Sequence, residues 1–323
     1  MAEFNFIEFQ RTRDFSNKMN VTIEFVKQNF KSFGRCVLYF IGPPALVVGL
    51  LMGSLIGNTR DFFLNLSQGG LDSADWTNLI LKGSLIAVGA TVTSIITTAT
   101  VIGYVIIYRK KQSGDISTDE VWDYIKTNFF MYFGVMLGVV VIAILAFSVM
   151  VLPVVLLGTL NGFLGGVAMV AYFVGVFYLA IANSLVILVR GFENKGFFDC
   201  FRRSMFLTYG KWWSTFGLLI VFGLIVSITS SLVAIPWSIS NTVNNLHDIS
   251  DGELSARGTD WFGIISNTLS YLFQYLLGVL PQIALIFQYF NLVEMKESKG
   301  LIEKMETIGA ADQTNTNAPK EDY

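Results

Sequence analysis

The chain has 323 residues, of which 53% are hydrophobic and 14% charged, with a mean hydropathy of +0.57. Soluble domains carry about a quarter charged residues, so the composition excludes an ordinary soluble globule and points to an integral membrane protein. The net charge of −2 says little until it is divided among loops, and no nucleic-acid partner is expected.

The chain opens on a polar, basic segment with no small-residue cleavage site, so the first apolar run is expected to act as its own insertion signal. Six nearly uncharged stretches are long enough to cross a hydrocarbon core, which takes about 20 helical residues. They run over residues 36–57, 83–108, 130–157, 163–189, 215–239 and 262–293. All are apolar throughout, without the alternation of a barrel strand, so helices are the remaining way to satisfy their backbone in lipid.

Before the first, third and fifth stretches stands a short segment with apolar residues at spacings of three and four. The first, over residues 14–32, carries Phe15, Met19, Ile23, Val26 and Phe30, with Lys18, Lys27 and Lys31 at its polar edges. The second, over residues 117–129, starts with Ser117, Thr118, Asp119 and Glu120, suited to capping, and carries Val121, Trp122, Ile125 and Phe129. The third, over residues 196–210, carries Phe197, Phe198, Phe201, Met205 and Tyr209, with Arg202 and Arg203 facing away. Each is expected to be an amphipathic helix on the membrane surface.

The junctions into the spans are similar: Asn29-Phe30-Lys31-Ser32-Phe33-Gly34, Asn128-Phe129-Phe130-Met131-Tyr132-Phe133-Gly134 and Lys211-Trp212-Trp213-Ser214-Thr215-Phe216-Gly217. Phe30, Trp122, Phe129, Trp212 and Trp213 are the expected interfacial anchors. The expected fold is therefore all-α and integral to the membrane. It has six transmembrane helices as three pseudo-repeats of surface helix plus hairpin, over residues 14–108, 117–189 and 196–293. These lie in one membrane domain, residues 1–308, followed by a disordered polar tail, residues 309–323.

Lys and Arg number six through Arg35, four over 109–126, five over 190–211 and four in the C-terminal tail, nineteen in all, against Arg60, Lys82 and Arg257 on the other side. That bias predicts cytoplasmic termini. It also makes Lys18, Lys27, Lys31, Arg109, Lys110, Lys111, Lys126, Arg202, Arg203 and Lys211 a candidate surface for anionic lipid or a membrane-protein partner.

The spans carry essentially no ionisable group at depth, where an intramembrane enzyme or pump would keep one. The second span is polar without charge, with Ser94, Thr97 and Thr98 among its hydroxyls. The sixth carries Gln274, Gln282 and Gln288 around Pro281. Both are expected inside, either as packing helices or as the lining of a path for a small uncharged or amphiphilic solute. Pro43, Pro44, Pro153, Pro236 and Pro281 are expected to face protein. The pairs Gly134 and Gly138, Gly162 and Gly166, and Ala171 and Gly175 give the small-xxx-small spacing common in bundles.

His247, the one histidine, stands beside Asp248 and Asp251 in a polar loop and reads as solvated. Cys36 and Cys200 read as isolated reduced thiols. With no nucleotide loop, hydrolase elbow or metal spacing, neither catalysis nor a cofactor is expected.

The pattern aromatic-x-x-x-x-x-Asn-Phe before a hairpin, here Trp122 to Phe129, resembles that of a broad, largely uncharacterised set of bacterial polytopic inner-membrane proteins. That set includes the membrane domain attached to some glycerophosphodiester phosphodiesterases. The resemblance covers most of residues 14–293, implies a six-helix membrane domain and brings no catalytic residue. The function expected is that of a non-enzymatic structural or accessory protein engaging anionic lipid or a partner complex; the alternative is a facilitative transporter or channel lined by the second and sixth spans.

Overall fold

The structure, a computed structural model, describes residues 6–57, 73–251, 261–298 and 305. Among them are eleven helices and no strand. They are α1 (Phe15–Gln28), α2 (Phe30–Phe40), α3 (Gly42–Gly57), α4 (Ser73–Lys111), α5 (Thr118–Leu160), α6 (Gly162–Ala182), α7 (Val186–Glu193), α8 (Phe197–Thr208), α9 (Trp212–Asp251), α10 (Trp261–Leu277) and α11 (Val279–Glu297). The expected disordered tail, residues 309–323, and parts of two outer loops lie outside the described residues.

Five segments are long and apolar enough to span a membrane: Trp76–Lys111, Thr118–Leu160, Gly162–Glu193, Trp212–Val243 and Trp261–Glu297. The pair α2 and α3, bent by 48°, makes a sixth if counted as one span. The bend sits at Ile41, just before Pro43 and Pro44, whose rings remove two backbone donors but are tolerated in the first turn of α3.

The expected separate surface helix over residues 117–129 is instead the first part of α5, which runs unbroken for 43 residues, about 65 Å at helical rise. No helix-breaking residue stands between Trp122 and Phe133. By contrast Asn29 separates α1 from α2, and Gly210, at φ +76°, turns the chain between α8 and α9. Pro153 and Pro236 lie inside α5 and α9 and face outward, against expectation. For Pro153 the cause is plain: the most apolar window of α5 has no buried residue, so its proline has no protein to face.

The chain divides into two compact units. One comprises residues 26–149 and 219–283. In it α3 packs on both α4 and α10. The α3–α10 contact is backbone to backbone: a Cβ on Gly49 would lie 2.9 Å from the Thr268 carbonyl, and one on Gly53 2.7 Å from that of Ile264. Gly103 of α4 meets the Tyr124 ring, and Ser270 of α10 donates to the Ser230 carbonyl of α9 at 2.7 Å. Tyr104 is fully buried, 2.6 Å from Ser32 Oγ, and donates to Asn29 Oδ1 at 3.2 Å.

The other unit comprises residues 1–25, 150–218 and 284–323. Phe9 is buried there, stacked on Phe287 at 4.8 Å and edge-on to Phe25 and Phe290. Helix α8 is tied to α6 where Ser204 and Thr208 donate to the Ala182 carbonyl at 2.7 and 3.2 Å. Trp212 donates to the Tyr178 carbonyl at 3.2 Å within a cluster that includes Phe177, Trp213 and Phe216.

Candidate functional site

Threonine is a weak helix former in water, but a buried helix can use its hydroxyl to bond back along its own turn. Thr91, Thr93, Thr97 and Thr100 of α4 do so, each donating to the carbonyl four residues earlier at 2.7–2.8 Å. Self-satisfied hydroxyls pack at little cost, and residues 97–105 of α4 are buried without interruption. Thr98 belongs to this packed stretch.

Ser94 departs from that pattern. With Thr97, one turn on, it faces Tyr271, Gln274, Tyr275, Gly278 and Gln282 across a cleft of about 360 Å³. The five residues from α10 and α11 follow helical spacing, i, i+3, i+4, i+7 and i+11, and so form one stripe. Gly278 joins the two helices, its N–H still donating to the Gln274 carbonyl at 2.9 Å. Pro281 lies in the first turn of α11, where its missing donor is least harmful.

The position along the spans is informative. Ser94 lies 18 residues from Trp76 in a span of 36, and Gly278 lies 17 residues from Trp261 in a span of 37. The cleft therefore sits half-way along both helices. No charged residue lines it.

The side chains of Ser94, Tyr271, Gln274, Tyr275 and Gln282 form no hydrogen bond to protein among the described residues. Amides and hydroxyls without partners are costly where water is scarce, on the order of 1–3 kcal/mol each by mutational measures. Their convergence on one hollow leaves several donors and acceptors facing it, with Gln274 exposed at its rim. The size of the hollow falls at the lower end of small-molecule pockets, which run from about 300 Å³ upward.

Gln288, expected on the same path, lies elsewhere. It stands about a quarter turn from the centre of the stripe, is fully buried, accepts from Lys18 Nζ at 2.7 Å and donates to Thr215 Oγ1 at 3.0 Å. Tyr271 and Tyr275 went unrecognised in the sequence, although their spacing from Gln274 and Gln282 marks them on one face.

The basic residues are scattered. Lys27, Lys31, Lys110, Lys111, Lys126, Arg202 and Lys211 are exposed and Arg109 is half-buried. Lys111 pairs with Glu120 at 2.8 Å and Lys126 with Asp123 at 2.9 Å, on the surface. Two positions correct the sequence reading. Lys18 is buried, because α1 packs the face carrying Lys18, Val21, Thr22 and Phe25 and leaves Phe15 and Ile23 outside. Arg203 turns inward with Cys200 and Leu207 of α8. It donates to Glu193 Oε1 at 2.9 Å and also to Glu297, while Tyr289 donates to Glu193 at 2.8 Å.

Of the anchors, Phe30 and Trp213 are well exposed, Trp122 stacks on Phe40 at 5.4 Å while staying partly exposed, and Phe129 and Trp212 are half-buried among aromatic neighbours. The side chains of His247, Asp248 and Asp251 lie outside the described residues. Among the described residues no three His, Cys, Asp or Glu side chains converge. No family model, curated protein or solved structure matches this chain.

Proposed function

We propose that the protein is a multi-pass membrane protein that admits a small, uncharged, hydrogen-bonding solute, and that the cleft between α4 and the α10–α11 span is where the solute binds on its way across. One observation carries this reading: five polar side chains without protein partners converge on an uncharged hollow at mid-span. The uncharged, hydrogen-bonding walls suit an uncharged polar solute, and the volume suits a small molecule. The cleft offers amide and hydroxyl groups that donate and accept hydrogen bonds, and the role assigned to it is binding and passage. Both termini lie on the cytoplasmic side of a bacterial inner membrane in this reading, supported by nineteen basic residues against three.

The test is permeation. Proteoliposomes holding the full chain and challenged with urea, glycerol or glucose should relax by light scattering faster than protein-free vesicles for at least the smaller probes. The double variant Gln274→Leu/Gln282→Leu should return to the protein-free rate. Equal rates with and without the wild-type chain for all three probes would refute passage.

A second reading, an accessory protein held to anionic lipid or a partner by its basic surface, draws on the exposure of Lys27, Lys31, Lys126, Arg202 and Lys211. Arg202→Glu should then weaken flotation with anionic vesicles. Unchanged flotation would count against it.

A further inference from the structure

Lys18 is 3% exposed, and no carboxylate lies within 4.0 Å of it among the described residues. Its Nζ donates to two neutral acceptors, Gln288 Oε1 and Ser214 Oγ, each at 2.7 Å. An ammonium has three protons, so one donor is left over. Gln288 is fixed by its bond to Thr215, so the ammonium is held in one place.

Beside it opens a cavity of about 400 Å³, lined also by Arg13, Asp14, Lys211 and Asn291. Asp14 is already engaged in capping α1, its Oδ1 accepting from the Asn17 N–H at 2.8 Å. Arg13 spends its guanidinium on the Phe9 and Glu8 carbonyls and lies over the Phe287 ring. Three cations against one carboxylate leave the walls at a formal +2. Burial first, and then Lys211, lower the Lys18 pKa to about 8, against a smaller opposing pull from Asp14. Since Ser214 Oγ accepts from Lys18, its own proton is free to donate into the cavity. The N-terminus of α9, which Lys211 immediately precedes and whose first turn holds Ser214, adds a partial positive field.

We propose that this cavity binds a phosphate group, held by Lys18, Lys211 and the Ser214 hydroxyl. The group comes from a lipid headgroup or from a soluble phosphate, and the cavity is a second site separate from the uncharged cleft.

The test uses the full purified chain. In detergent, inorganic phosphate is titrated against chloride at matched ionic strength; in nanodiscs, phosphatidylcholine is compared with phosphatidylcholine carrying phosphatidic acid. The thermal midpoint is the readout. A saturable rise with phosphate in detergent assigns a soluble ligand, whereas a rise with phosphatidic acid alone assigns a headgroup. Lys211→Gln, at an exposed position, should weaken either response about fivefold, the effect of one surface charge. Lys126→Gln should leave it unchanged, and Lys18→Gln, where it folds, should abolish it. No saturable rise with either probe overturns the proposal, as does equal weakening by Lys126→Gln and Lys211→Gln.

Discussion

A buried ammonium beside two neutral acceptors gives Lys18 a pH signature. Burial and Lys211 bring its pKa to about 8, well under the ordinary lysine value. Below about 8 the folded and unfolded chains both hold the proton, and the penalty for burying the charge is present in full. Between there and the ordinary lysine value the unfolded chain holds a proton that the folded chain has released, so folding stability rises with pH across that window. Wild type should therefore gain thermal stability relative to Lys18→Met from pH about 8 to about 10; a flat difference would show that the ammonium is not penalised. Arg203 makes the opposite case, since its guanidinium holds Glu193 and Glu297 together. Arg203→Met leaves two inward carboxylates facing one another and should lower stability by about 3 kcal/mol, whereas Arg202→Met, one residue away and exposed, should be nearly neutral. Chemical denaturation of both variants separates them, and equal losses would mean that the network contributes nothing. Neither inward position was legible in the sequence. Lys18 lies at the edge of one apolar stripe and Arg203 opposite another, and hydrophobic periodicity does not say which face of a helix meets protein when the other meets lipid.

At the scale of the helix, one close contact is between α3 and α10, where Gly49 and Gly53 sit against the backbone of Thr268 and Ile264. A methyl at either glycine meets carbonyl oxygens that cannot swing aside. Gly53→Ala should therefore cost about 1–3 kcal/mol, the range for overpacking. Gly134→Ala, with nothing within 4 Å, should be tolerated. Thermal unfolding in detergent checks the pair, and equal midpoints would contradict the packing. The sequence reading singled out the small-xxx-small pairs Gly134 and Gly138, Gly162 and Gly166, and Ala171 and Gly175, but not Gly49 and Gly53, because the spacing is common and the partner helix invisible. The helices themselves were largely legible, since apolar runs that must satisfy their backbone in lipid have little choice. Their ends were less so. Gly210 marks a real break, but nothing in the apolar run after Trp122 stops α5, and the expected surface helix there merges with the span.

For the whole molecule, the sequence showed that the second and sixth spans are polar without charge. The structure separates the two uses of that polarity. The α4 threonines Thr91, Thr93, Thr97 and Thr100 bond to their own helix, whereas Ser94 of α4 and Gln274 and Gln282 of the α10–α11 span, without such bonds, meet at a cleft that Thr97 also borders. Gln288, of the same residue type, instead holds Lys18. Composition cannot sort these roles, because they depend on which neighbour lies opposite. The central claim is that the cleft at mid-span takes up a polar partner from water. Both native cysteines are buried, which keeps background labelling low. The measurement is therefore the reaction of Ser94→Cys and Gln274→Cys, in intact membranes, with a membrane-impermeant thiol reagent. Leu145→Cys on exposed α5 serves as the lipid-facing control. Labelling at both cleft positions and none at the control is the predicted result. Inert cleft positions would show a dry packing defect and contradict the account.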